Sequence, residues 1–444
     1  MRVRGLARLD SFFALPPEAN VHPEIARRFR RNFIVNMLDL MTWLFGASFV
    51  SVNAILPVYA SHLTESPLVI GLIPALTDAG WFLPQLFLAP FVERLPRKLP
   101  VVAVLGAVER LPYLVLPFMV LWLDDMARST AVMFFILLIL WKSVGSGIVA
   151  TPWQEMIAKV IPVSHRGRFF GAGFLVGQLL GVGGSALAAL LLARLPYPQN
   201  FAVSFAVGAV SITASQIFFM LTKEPAVSPP PQPPHSNREY VQRLAGILRS
   251  NANFRTYLFS RWLSYGGGMA FGFMAVYAVE HFHLPDSAAA VYTGILYGAG
   301  VVGYAVWGPL GDRVGHKQVM EIAASLWLIA LGVALFSTAA WGFYIVFALM
   351  GFGSAGGVLA DLNIAMEFGP EAERPTYIGL ARTATGPALL IAPLLGGWIA
   401  QTWNYPTLFV ASLVFAVCGL GLLAWRVREP RHLAKAKPAV VSQQ

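Results

Sequence analysis

The sequence predicts an all-α membrane protein with twelve transmembrane helices in two pseudo-symmetric six-helix bundles. Three observations lead to this fold class. The chain of 444 residues is 57% hydrophobic and only 12% charged, whereas soluble domains carry about 25% charged residues. It contains twelve apolar segments, each close to or above the length that a helix needs to cross a bilayer. A proline-rich segment divides these twelve into six plus six.

The predicted spans, numbered 1 to 12 in chain order, are continuous apolar runs. They are too long and too uniformly apolar for the strands of a membrane barrel, which alternate over about ten residues. Their frequent glycines and prolines are tolerated in helices embedded in lipid. The spans cover residues 33–60, 68–92, 100–123, 131–159, 169–194, 201–222, 254–280, 288–311, 317–339, 341–367, 376–402 and 406–426.

Lysine and arginine are concentrated in the loops on one side of the predicted bundle, and an even number of spans places both termini on that side. Cytoplasmic loops carry the excess of these residues, so we expect a multi-pass protein of the cell membrane with both termini cytoplasmic. The basic N-terminal tail then needs no nucleic-acid partner. On the basic side lie Arg27, Arg28, Arg30, Arg31, Arg94, Arg97, Lys98, Lys159, Arg166, Arg168, Arg313, Lys317, Arg426, Arg428, Arg431, Lys435 and Lys437; on the other lie Arg128 and Arg194.

The spans and the proline-rich segment define the expected domains. These are a cytoplasmic tail at 1–32, a six-helix bundle at 33–222, a cytoplasmic linker at 223–253, a second bundle at 254–426 and a tail at 427–444. The proline run 229–234 predicts a semi-rigid extended spacer. After it, Tyr240, Leu244 and Leu248 recur every four residues, which predicts a short amphipathic helix.

An internal repeat relates the two bundles. The stretch GPLGDRVGHK at 308–317 is echoed by APFVERLPRK at 89–98, each after the second span of its half. A second echo pairs Pro162, Arg166 and Gly171 after span 4 with Pro370, Arg374 and Gly379 after span 10. Two echoes at equivalent places indicate a duplication, the architecture of transporters whose site lies at the midplane between the halves.

The stretch 308–317 resembles the signature loop of the major facilitator superfamily, Gly-x-x-x-Asp-Arg-x-Gly-Arg-Lys. Gly308, Asp312, Arg313, Gly315 and Lys317 match it, and His316 replaces one basic residue. The first-half copy departs further, with Ala89, Glu93 and Pro96 at the positions of Gly, Asp and Gly. Twelve spans and a central linker fit the same family over nearly the whole chain, and the resemblance implies a transporter.

The resemblance also implies a gate, in which acid and base at the helix ends latch one state of the transport cycle. Glycines allow the tight turn and close helix approach that such a loop needs. We therefore expect a gating role for Glu93, Arg94, Gly308, Asp312, Arg313 and Gly315. Arg97, Lys98 and Lys317 are expected to be solvated loop charges instead.

In the family that this chain resembles, spans 1, 4, 7 and 10 surround the substrate cavity. Spans 1, 4 and 10 carry polar or aromatic residues at helical spacing, and polar groups within a membrane usually face the bundle interior. The three faces are Asn36, Asp39, Trp43, Gly46, Val50 and Asn53; Lys142, Ser146, Val149 and Trp153; and Met350, Ser354, Gly357 and Asp361. Span 7 offers Arg261, Trp262 and Tyr265. The predicted cavity residues are Asn36, Asp39, Trp43, Asn53, Lys142, Ser146, Trp153, Arg261, Tyr265 and Asp361.

Charged residues among these suggest roles. Lys142, near mid-depth, is expected to meet an anionic or hydroxylated substrate, and Arg261 is expected to pair with Asp361. Asp39 and Asp361 are candidate proton carriers, because burial favours the uncharged form of a carboxyl group. The alternative is that these charges only neutralise one another. Glu109 and Arg110 are adjacent and expected on different faces. A structural pair of Glu109 with Lys142 and a role in coupling both stay open.

These observations favour a secondary active transporter of a small solute, either proton-coupled or a uniporter, acting as a monomer among membrane lipids. A multidrug-type exporter and a non-transporting sensor or lipid-handling protein stay open as alternatives. The sequence has no phosphate-binding Gly-x-x-x-x-Gly-Lys-Ser/Thr loop and no visible catalytic grouping, so we expect no enzyme activity and no cofactor. His281 and His283 lack further ligands in the sequence, so no metal is expected.

Overall fold

The computed structural model describes residue 13 and residues 23–93, 95–123, 127–226, 237–369 and 373–430. This part of the chain is helical almost throughout, and the predicted all-α fold of twelve spans in two bundles is confirmed. The helices of the first half are Pro23–Ala47, Ser48–Val50, Ile55–Leu63, Pro67–Glu93, Leu99–Leu123, Arg128–Val160, Val163–Arg194 and Gln199–Met220. Those of the second half are Ala252–Gly267, Gly268–Phe273, Met274–His281, Ser287–Val314, His316–Phe336, Gly342–Glu367, Arg374–Thr402 and Tyr405–Arg426.

Eleven described helices are long and apolar enough to cross a membrane. The remaining predicted span, span 7, is divided into an α-helix, the 3-10 helix Gly268–Phe273 and a second α-helix. Span 1 is interrupted in the equivalent place, by the 3-10 helix Ser48–Val50 and a short turn. The two breaks therefore repeat the pseudo-symmetry of the halves within their first spans.

The same helix pairs pack closely in both halves. Gly46 of span 1 lies against Gly208 of span 6, and Gly267 of span 7 lies against Ala416 of span 12. At both places a methyl group on the glycine would fall within 2.8 Å of an atom of the neighbouring span. The close approach therefore requires glycine at these two positions.

The two halves touch through spans 2 and 11 and through spans 5 and 8. We call the side that holds segment 223–253 the linker side and the opposite one the far side. Towards the far side, a methyl group on Gly71 would lie 2.7 Å from the Pro393 carbonyl oxygen. A methyl group on Gly397 would lie 2.8 Å from the Pro67 carbonyl oxygen. Towards the linker side the helices diverge, because methyl groups on Gly386 and Gly171 would meet no atom of the described side chains and backbone within 4 Å. The structure is therefore closed on the far side and open towards the linker side.

A buried carboxylate organises the linker side of the first half. Glu224 accepts hydrogen bonds from the backbone N–H groups of Lys98 and Leu99, both at 2.8 Å, and from Lys159 Nζ at 2.9 Å. A carboxylate at this place caps the N-terminus of span 3. Lys98 itself is buried, with Nζ 3.6 Å from Glu155. The expectation that Lys98 is a solvated loop charge is wrong, because the chain leaving span 6 covers it.

The second half places an acidic residue, Glu429, beside the signature loop. Gly315 has φ +99°, which favours glycine, and a Cβ there would lie 2.8 Å from Glu429. Lys317 Nζ lies 2.9 Å from Glu321 Oε1 and donates to the Ala424 carbonyl. The expectation that Lys317 is a solvated loop charge is therefore wrong. Lys-Glu-Pro at 223–225 and Arg-Glu-Pro at 428–430 form a third internal echo, which the sequence analysis missed.

A helix is present where the linker was expected to be amphipathic. It runs from Asn237 to Ser250, and Ile247 is buried on its apolar face. Leu244 and Leu248 pack partly buried against the core of the second half. The proline run 229–234, Arg94 and Pro370 lie outside the described residues.

Candidate functional site

Arg110 of span 3 is the centre of a polar cluster inside the first half. Its guanidinium donates to the Ile212 carbonyl at 2.9 Å, to Ser215 Oγ at 3.2 Å and to Glu109 Oε2 at 3.0 Å. Arg110 and Glu109 are both buried. Their predicted separation onto different helix faces is wrong for the side-chain tips, because the long arginine bends back to the neighbouring carboxylate.

Two predicted cavity residues belong to this polar cluster. Ser146 of span 4 donates to Glu109 Oε1 at 2.7 Å. Asp39 of span 1 is buried and interacts with Ser215 of span 6 and Trp153 of span 4. The structure therefore brings spans 1, 3, 4 and 6 together around acids and bases that are shielded from water.

Lys142 is the predicted cavity residue whose placement differs most from expectation. It is only 8% exposed, and Nζ lies 5.9 Å from the centre of the Tyr113 ring of span 3. Its charged neighbours are Glu109 and Asp78. Lys142 thus lies inside the first half, because its position on span 4 directs the side chain towards spans 2 and 3 rather than towards the second half. With it, the cluster of Asp39, Asp78, Glu109, Arg110 and Lys142 holds three acids and two bases.

The polar stripe of span 1 also faces inward. Asn36 is buried and donates to Thr222 Oγ1 at 3.0 Å, at the end of span 6. Trp43 and Asn53 are half-buried, and Asn53 lies in the turn that interrupts the span. The stripe is a single helix face as predicted, but Asn36 and Asp39 contact span 6 instead of the opening between the halves.

The second half carries a charged site beside that opening. Arg261 Nε lies 3.0 Å from Asp361 Oδ1, so the predicted pair between spans 7 and 10 is present. Tyr257 donates to the same carboxylate oxygen at 2.7 Å, and Arg261 donates to Tyr265 Oη at 3.0 Å. The Asp361 side chain is 39% exposed and that of Arg261 15%. This pair is therefore accessible from the opening, unlike the polar cluster of the first half.

An aromatic ladder crosses between the halves. The ring centroids of Trp153 and Phe170 are 6.5 Å apart. Those of Phe170 and Phe174 are 6.2 Å apart, as are those of Phe174 and Tyr304 of span 8. The last two pairs are stacked. These side chains provide an apolar, planar surface across the contact between spans 5 and 8.

The predicted gating residues lie at the open, linker side. Asp312 and Arg313 are exposed, and a methyl group on Gly308 would meet no atom within 4 Å. His316 Nδ1 lies 3.1 Å from Glu367 of span 10, which ties the loop to its own half. Nothing is described of the Glu93 side chain, so the latch between the two loop copies stays a prediction.

Polar contacts on the far side, which the sequence analysis missed, join the halves directly. His62 Nε2 lies 2.9 Å from Asp286 Oδ1, and Asn200 donates to the other carboxylate oxygen at 3.3 Å. Ser66 donates to Gln401 Oε1 at 2.7 Å. Sequence carries no signal for these pairs, because their members come from loops that only the assembled bundles bring together.

Replacing Asp286 with alanine is expected to weaken closure of the far side, because it removes both bonds that this carboxylate accepts from the first half. Charged hydrogen bonds contribute about 1.5–3 kcal/mol, so the closed population should fall relative to the open one by roughly tenfold or more. Distances between spin labels at Arg194→Cys and Trp341→Cys, in a Cys418→Ser background, measure this shift. Arg128→Ala, which breaks an exposed pair within the first half, is the control. Unchanged distances in Asp286→Ala would contradict the prediction.

Two duplicated six-helix bundles that touch on the far side are the architecture of a class of membrane transporters built from parallel repeats. The chain belongs to the Major Facilitator Superfamily, whose family model matches residues 38–304 and 257–443. The predicted resemblance is thereby confirmed at the level of the superfamily.

The chain is similar to proteins that are named for different substrates. The staphyloferrin B transporter of Staphylococcus aureus is 26% identical over 196 residues, 42% of this chain and 46% of that protein. The multidrug resistance protein MdtG of Dickeya zeae is 25% identical over 174 residues, 37% of this chain and 42% of that protein. The alignments thus span less than half the length of these relatives. The crystal structure of a D-xylose-proton symporter shares the fold, with TM-score 0.66, 14% identity, and coverage of 90% of this chain and 98% of that one.

Proposed function

We propose that this chain is a secondary active transporter that moves a small solute across the cell membrane by alternating access. The supporting observation is the contact between the halves, tight at Gly71 and Pro393 and open at Gly386. Rocking of the two bundles about this contact would close the linker side and open the far side. The charged site of Arg261 and Asp361 then faces each side of the membrane in turn.

The proposal includes orientation and domain organisation. The bundles 33–222 and 254–426 move as the two halves of one monomer, and segments 1–32, 223–253 and 427–444 lie in the cytoplasm. The excess of lysine and arginine on the linker side supports this orientation. In this orientation the opening between the two halves faces the cytoplasm.

The proton is the proposed coupling ion. Asp361 borders the opening and pairs with Arg261, so its protonation would release the arginine to another partner. Asp39 belongs to a cluster with three acids and two bases, which becomes neutral when it takes up one proton. Asp39 and Asp361 are therefore assigned as proton carriers, and Gly308, Asp312, Arg313 and Gly315 with Glu93 and Arg94 as the linker-side gate.

Uptake into proteoliposomes tests the proposal. Purified protein would be reconstituted and offered labelled sugars, nucleosides, amino acids, organic anions and lipophilic cations, with and without a proton gradient. We expect uptake of one solute class above protein-free vesicles, and faster uptake with the gradient than after a protonophore collapses it. Folded protein that moves no class would contradict transport and favour a sensor or lipid-handling protein.

A multidrug-type exporter is the second candidate. The aromatic ladder from Trp153 to Tyr304 favours it, because planar lipophilic cations stack on aromatic rings. Its signature in the same assay is transport restricted to lipophilic cations, together with loss of that transport when Phe174 is replaced by alanine.

A further inference from the structure

Arg382 is a charged residue that neither the sequence analysis nor the site described above has used. It lies on span 11, eight residues from the start of the helix at Arg374, which places it about 12 Å from that end. Arg261 and Asp361 lie about 13 and 9 Å from the linker-side ends of their own helices by the same measure. Arg382 is therefore level with this pair.

Helix geometry shows which way Arg382 points. Pro393 contacts Gly71 of span 2, and it follows Arg382 by eleven residues, about three turns, so both lie on the face towards the first half. Ile391, which is 50% exposed, follows by nine residues, about two and a half turns, and lies on the opposite face towards lipid. Gly386, on the same face as Arg382 and between it and Pro393, has open space before it. Arg382 thus faces the opening between the halves.

Among the residues that the structure describes, no neighbour compensates the charge of Arg382. It is exposed, and within the described ranges it forms no ion pair. Arg261, by contrast, is matched by Asp361, and Lys142 is buried beneath Tyr113. A charged side chain that faces hydrocarbon is energetically costly. Arg382 avoids this cost by facing the water-accessible opening, where it leaves one positive charge unmatched.

We propose that Arg382 binds an oxyanion group, a carboxylate or a phosphate, of the solute that this protein transports. A guanidinium presents a planar fork of N–H groups that fits both groups in bidentate geometry. The Arg261–Asp361 pair, level with Arg382 along the helices, would contact the remainder of the solute. This inference rests on the proposed transport function and assigns its substrate class as organic anions, with Arg382 in the role that the sequence suggested for Lys142.

Chemical modification with phenylglyoxal, which reacts with arginine, tests the assignment without a transport assay. Purified protein in detergent would be treated with the reagent, and the adducts at Arg382 and at the exposed far-side Arg128 would be quantified by peptide mass spectrometry. The treatment would be repeated with benzoate, with citrate, with inorganic phosphate, and with uncharged benzamide. These arms separate recognition of a carboxylate from recognition of a phosphate.

We expect Arg382 to react, and at least one anion to slow its modification about tenfold at about ten times that anion's dissociation constant. Benzamide should leave the rate unchanged, and no compound should protect Arg128. Failure of Arg382 to react while Arg128 reacts would overturn the assignment, as would equal rates with anions, with benzamide and without addition. Proteoliposomes that transport a cation at the same rate in Arg382→Gln as in the native chain would overturn this inference and leave the transporter proposal standing.

Discussion

Replacing Asp361 with asparagine is expected to lower proton-driven solute uptake roughly ten- to hundredfold while the protein still folds. Asparagine keeps an oxygen for the Tyr257 hydroxyl but carries neither a negative charge nor a transferable proton. It therefore removes the charged contact with Arg261, 3.0 Å away. The expected loss corresponds to about 1.4–2.8 kcal/mol, because each 1.4 kcal/mol corresponds to about tenfold in rate. Initial uptake rates in proteoliposomes with a proton gradient measure the effect.

A neutral double variant distinguishes transport from structure at this site. In Arg261→Gln with Asp361→Asn no charge is left unpaired, so the stability of the double variant should be close to that of the native chain. If the pair works in transport, uptake stays low in the double variant although the protein is folded. Recovery of native uptake rates in the double variant would show that the pair is only structural and would remove Asp361 from the proton-carrying role.

Replacing Arg110 with methionine is expected to lower the free energy of unfolding by about 3–5 kcal/mol. The substitution removes the base that is hydrogen-bonded to Glu109 and lies near Asp39, and removing one partner of a buried ion pair has this cost. It also removes the donors to Ser215 and to the Ile212 carbonyl. Unfolding in mixed micelles titrated with SDS, followed by the fluorescence of the chain's twelve tryptophans, measures the change.

Two further variants provide the matched controls for Arg110. Glu109→Gln combined with Arg110→Met should recover much of the loss, because replacing both members of a buried pair with neutral groups of similar size is often close to neutral. Arg128→Ala, which breaks a pair whose side chains are 80% and 92% exposed, should change stability little. A double variant as unstable as Arg110→Met would show that the hydrogen bonds of Arg110, rather than the charge of Glu109, stabilise the cluster.

Span 1 and span 7 show how far the sequence predicts local structure. The polar residues of span 1 were correctly grouped on one face, because helical spacing is a local property. That face was expected at the central cavity, yet Asn36 bonds to Thr222 and Asp39 lies beside Ser215. In span 7 the same reasoning placed Arg261 correctly, because its predicted partner Asp361 lies on the neighbouring helix. Spacing therefore defines a face, while the neighbour that the face meets depends on how the helices pack.

Lys142 and Arg382 show the same limit for a functional residue. Both are basic and lie within apolar spans, so hydropathy treats them alike. In the structure one is covered by Tyr113 and the other faces an opening. Rotation of a helix about its axis, which packing sets, decides between these outcomes. The signal that could have singled out Arg382 is its spacing from Pro393 and Gly397, once these are known to meet span 2.

The sequence by itself determined the membrane fold, the number of spans and the duplication. The reason is that hydrocarbon requires long apolar helices with internally satisfied backbones, and a duplicated loop is visible at fixed places. Only the tertiary structure decided which charges are covered and which are accessible, how Glu224 caps the N-terminus of span 3, and which side is closed. These features depend on contacts between residues far apart in the chain, whose free energies arise when the helices pack and the two halves meet.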